Sequence, residues 1–118
     1  MSKKTRAVCY CSSVMYDQIL DRSSRECRSL AQQMIFLVKR GLELGQPLRQ
    51  RDNRELLGAV LDGERQNIWF YPSGAMMTQI AEYKDRWDLV SNSAAIRVLV
   101  YTAIYNDMVE TTKKGGLL

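Results

Sequence analysis

Residues 65–76 read Arg65-Gln66-Asn67-Ile68-Trp69-Phe70-Tyr71-Pro72-Ser73-Gly74-Ala75-Met76. The run from Asn67 to Tyr71 is rich in β-branched and aromatic types, and Pro72 has no N–H to extend a ladder. Ser73 is a residue type whose side-chain oxygen accepts from the free N–H groups that start a helix. A strand leading straight into a helix is therefore expected, and Met76, Ile80 and Tyr83 follow at helical spacing. After a break at Asp88 to Asn92, the run Ser93-Ala94-Ala95-Ile96-Arg97-Val98-Leu99-Val100-Tyr101-Thr102-Ala103-Ile104 predicts a second helix reaching to about Glu110.

The same order stands upstream. Thr5 to Cys11 reads as a short strand ending at Ser12-Ser13, either of which can cap a helix carrying Met15, Ile19 and Leu20 up to the polar break Arg22-Ser23-Ser24-Arg25. Ser29 then opens a helix to Leu42, with Leu30, Met34, Leu37, Val38 and Leu42 on one face and Gly45 and Pro47 as its stop. Ser12, Met15 and Ile19 match Ser73, Met76 and Ile80 at an offset of 61; Ser29, Met34, Leu37, Gly41 and Leu42 match Ser91, Ile96, Leu99, Ala103 and Ile104 at an offset of 62. The extra residue falls in the inter-helix turn, where insertions are tolerated. A copy of about 40 residues with one strand cannot satisfy that strand's backbone alone, so two copies must pair. The expected fold is α+β, with two strand-helix-helix units in tandem and their strands paired as a two-stranded antiparallel ribbon. Unit 1 spans 4–44 and unit 2 spans 65–110. Residues 45–64 are a linker in which Arg54 to Leu61 is able to form a short amphipathic helix, and 111–118 form a flexible tail.

The chain has 118 residues, 46% of them hydrophobic and 25% charged, which is the balance of a folded domain with a core. Its net charge of +4 is compatible with a polyanionic partner. It has no histidine, which removes Ser-His-Asp, Cys-His and His-ligated metal chemistry from the chain acting alone. Cys9, Cys11 and Cys27 supply three thiols without a fourth ligand. Glu55, Asp62 and Glu64 lie in the polar linker, and Gly115-Gly116 has neither a strand before it nor a helix after it. No catalytic residue, metal or cofactor is expected. The apolar stretch after Lys3-Lys4 is broken by Asp17, and the longest strongly apolar run is Met34 to Val38, so neither a secretion signal nor a membrane span is read; a cytoplasmic setting is the default.

The strand, the Pro-Ser start, the short helix and the Ser93-Ala-Ala-Ile-Arg97-Val-Leu run together resemble the ribbon-helix-helix family, the Arc and MetJ class of DNA-binding proteins. The resemblance covers 4–44 and 65–110. Tandem copies in one chain are similar to the TraY-type relaxosome proteins of conjugative plasmids. The resemblance implies sequence-specific binding of double-stranded DNA, with the ribbon in the major groove. Transcriptional regulation by occupying an operator, as a repressor does, and service as an accessory factor at a plasmid origin in conjugation are the two roles it implies. Other copies of the chain on adjacent sites, and protein partners on mobile-element DNA, would be the remaining partners.

On a ribbon, alternate side chains face out while the rest pack on the helices. With Ala7, Cys9, Cys11, Ile68, Phe70 and Pro72 inward, the base-reading candidates are Arg6, Val8, Tyr10, Asn67, Trp69 and Tyr71. Arg6 suits a guanine edge, Asn67 an adenine edge and Val8 a thymine methyl. Both faces of the second strand are apolar, so the reversed parity, with Trp69 and Tyr71 in the core, stays open. Ser29, Ser91, Asn92 and Ser93 stand where helix N-termini hold phosphate or are simply capped, and Lys3, Lys4 and Arg65 are further phosphate candidates. The rival reading keeps the fold and makes the chain a protein-interaction adaptor or inhibitor anchored by Trp69 and Tyr71.

Overall fold

Alternation of small apolar side chains with larger ones at 7–12 is what a strand with one buried face requires, and these residues form β1 (Ala7–Ser12). The computed structural model of the protein describes residues 6–45 and 65–115, with side chains at 6–45 and 66–106. After β1 come α1 (Ser13–Arg25), α2 (Leu30–Leu44), β2 (Arg65–Phe70), α3 (Gly74–Arg86) and α4 (Asn92–Gly115). The architecture is α+β: one two-stranded antiparallel sheet and four helices among the described residues. Its register pairs Ala7 with Phe70, Val8 with Trp69, Cys9 with Ile68 and Tyr10 with Asn67. The linker and its short helix over Arg54 to Leu61 lie outside the described residues.

Each helix starts where a serine takes up a free N–H group. Ser12 Oγ accepts from Met15 N and Ser73 Oγ from Met76 N. Ser29 Oγ accepts from Gln32 N while Ser29 N donates to Gln32 Oε1, a reciprocal box that satisfies two groups at once. Ser91 Oγ accepts from Ala94 N at the head of α4. The two inter-helix turns share one geometry: Cys27 and Asp88 both have φ 55, in the left-handed region. Arg28 N donates to Ser23 O, and Leu89 N to Lys84 O, each closing its helix by the same long-reach bond. Matched residues stay at an offset of 61 as far as Leu89, so the extra residue is Val90, which is 92% exposed.

Several boundaries differ from the sequence reading. α1 continues through Arg22-Ser23-Ser24-Arg25, because Ser23 turns inward and donates to Leu20 O, leaving only the flanking residues in solvent. β1 begins at Ala7 and β2 stops at Phe70, each short of the expected end. α4 starts at Asn92, inside the expected break. It also runs past Glu110 to Gly115, so residues 111–115, expected as part of a tail, continue the helix.

The core lies between the inward ribbon face and the helices. Cys9, Ile68 and Phe70 meet Met15, Ile19, Ile80, Met34 and Leu37. α4 is buried over most of its circumference from Ala94 to Ile104, and α2 packs against it most extensively. At their closest approach Gly41 faces the backbone of Leu99, with no room for a Cβ. None of the described helices is long and apolar enough to cross a membrane.

Candidate functional site

The outward face of the ribbon gathers the six residues singled out in the sequence. Ile68, Phe70 and Pro72 are buried, while Trp69 is 45% and Tyr71 52% exposed, so the second strand has the outward parity. Tyr10 is 40% exposed, Arg6 and Asn67 are exposed and Val8 is half-buried. The register sets Tyr10 opposite Asn67 and Val8 opposite Trp69. A solvent-facing strand face with three large aromatics needs a reason, since such groups are ordinarily folded inward.

Two contacts organise this face. The Arg6 guanidinium lies over the Trp69 ring, 4.1 Å from its centroid, which holds a mobile cation against the middle of the ribbon. On the edge of β1, Arg97 from α4 donates to Tyr10 O at 3.3 Å, tying the strand to the helix behind it. Arg97 was not assigned a role from the sequence. Its signal there is a lone cation within the apolar run Ala94 to Val100, where the half-buried side chain can run along the packed face and carry its guanidinium to a backbone carbonyl.

The inward thiols of Cys9 and Cys11 face each other on one strand. Cys9, hydrogen-bonded with Cys11 and buried, is held well above the usual cysteine range. Cys27 stands apart on the exposed turn between α1 and α2. Among the described residues no three His, Cys, Asp or Glu side chains come together as metal ligands.

The phosphate candidates fare unevenly. Ser29 and Ser91 are exposed and cap their helices. Asn92 is exposed at the first turn of α4, but Ser93 Oγ is buried without a partner, so Ser93 has only its N–H to offer a ligand. Lys3 and Lys4 lie outside the described residues, as does the side chain of Arg65, whose Cα pairs with Ser12. Among the described residues, an open cleft lies away from this face, between α2 and α3, lined by Leu42, Gln79, Glu82 and Arg86. No family model, curated protein or solved structure matches the chain.

Proposed function

We propose that the protein is a sequence-specific double-stranded DNA-binding protein made of two ribbon-helix-helix units in one chain. The observation that carries this reading is the ribbon itself. It is a two-stranded antiparallel pair whose inner face is core and whose outer face offers Arg6, Asn67 and the half-buried Val8 between aromatics. A ribbon of two strands fits the major groove, where guanidinium and amide side chains distinguish guanine and adenine edges. The tandem arrangement is supported by the strand register. Val8 and Trp69, equivalent at the offset of 61, are also cross-strand partners, as a two-fold axis between two like units requires. A role as transcriptional regulator or plasmid accessory factor follows from the resemblance to that family.

Exposure of Tyr10, Trp69 and Tyr71 favours a second reading, in which the ribbon face docks a protein. Salt dependence separates the two. Fluorescence anisotropy of a labelled mixed-sequence duplex, titrated between low and physiological salt, should show log affinity falling with log salt by roughly 0.9 per phosphate neutralised. An undetectable or salt-independent response would discard DNA binding in favour of the adaptor.

A further inference from the structure

We infer that a single copy of the chain reads a non-palindromic duplex site, with guanine selected on one side of the ribbon centre and adenine on the other; this rests on the DNA-binding reading. The inference comes from what stands on either side of the central pair Val8 and Trp69. Two positions from that pair in one direction, Tyr10 and Asn67 are partners across the strands. In the other direction stand Arg6, the residue equivalent to Asn67, and Tyr71, the residue equivalent to Tyr10. The tyrosines match under the two-fold relation, so they do not distinguish the sides. Arg6 and Asn67 do: one is a cationic fork that suits guanine O6 and N7, the other an amide that suits adenine N6 and N7. The central pair is itself mismatched, Val8 against Trp69, so a symmetric sequence cannot satisfy both halves.

Distances along the ribbon set the spacing. Successive outward residues on a strand are about 6.8 Å apart, close to two base-pair steps of about 3.4 Å. Asn67 therefore reaches about two base pairs from the centre. Arg6 starts as far out on the opposite side, but its guanidinium is drawn over Trp69 at 4.1 Å from the ring centroid. Guanine is thus expected closer to the centre than adenine is. Trp69 acts here as the platform that positions Arg6.

The test is selection of duplexes from a randomised pool by the full chain, repeated with Arg6→Ala and Asn67→Ala, with the fold of each variant checked by circular dichroism. An asymmetric consensus is expected, occupied by one chain per duplex. Arg6→Ala should relax the guanine position by roughly 5- to 150-fold while leaving the adenine position selected, and Asn67→Ala should do the reverse. A palindromic consensus, or both variants relaxing the same positions, would overturn the inference while leaving sequence-specific DNA binding intact, whereas binding without any base preference would overturn both. Recovery of no duplex at all would overturn the DNA-binding reading and the inference with it.

Discussion

Three cysteines of one residue type have quite different environments. Cys9 is fully buried and held protonated by its bond with Cys11 and by burial, whereas Cys27 is exposed. The same bond holds the Cys11 thiol below its usual range, but Cys11 is buried, so access rather than thiolate content decides: a disulfide reagent should titrate one thiol in the native protein, Cys27, and all three only after denaturation. Gln33 is also fully buried, and neither of its amide atoms has a partner. Its equivalent at the offset of 62 is Ala95, which carries no polar atom beyond its backbone. Gln33→Met keeps the volume and helix propensity and removes the unpaired amide, so it should raise the unfolding free energy by about 1–3 kcal/mol in urea titrations. The phenols of Tyr83 and Tyr101 are pushed up to about 12, chiefly by burial. A folded-state pKa above the ordinary value of 10.0 favours the neutral phenol in the native protein. That stabilisation is complete below about pH 10 and is lost as pH rises toward about 12. The denaturation midpoint should fall over that window, and less so in a Tyr83→Phe, Tyr101→Phe variant.

Elements were legible where their physics is local. Serine caps, the helical spacing of Met15 and Ile19, and the left-handed Gly45 after α2 all leave marks in the sequence. The inter-helix turns leave none, because Cys27 and Asp88 adopt positive φ without being glycine, and a buried Ser23 inside α1 looks like a loop residue until its hydroxyl is seen to bond back to Leu20 O. The strand parity was undecidable for the same reason: Trp69 and Phe70 are equally apolar, and only packing against Ile80 and its neighbours selects which one is buried. The crossing of α2 and α4 is the element-scale feature with the firmest consequence. In an exposed helix, Gly41→Ala would stabilise by roughly 1 kcal/mol. Here the new Cβ would meet the carbonyl oxygen of Leu99 and come within 2.9 Å of its carbonyl carbon, and backbone cannot step aside as a side chain can. The crowding outweighs the propensity gain, so Gly41→Ala should lower stability by about 1–3 kcal/mol in thermal or urea unfolding.

At the scale of the whole molecule, the decisive fact is that β1 and β2 belong to one chain and hydrogen-bond to each other. A strand-helix-helix unit standing alone leaves its strand unpaired and has to find a second chain, which makes its stability depend on concentration. This chain carries its own partner strand. Its melting temperature should therefore be the same at micromolar and at hundredfold higher concentration, and sedimentation should give a monomer. The two halves also share one core, since Leu37 of α2 and Leu99 of α4 are both fully buried in the cluster that includes Ile68 and Phe70. Leu37→Ala and Leu99→Ala should each cost about 2–5 kcal/mol, whichever half carries the change, and each variant should still unfold in one transition. A Tm that climbs with concentration would mean that the strands pair between chains. Two separate transitions in either variant would mean that the halves hold independent cores, and that the contact of α2 with α4 does not couple them.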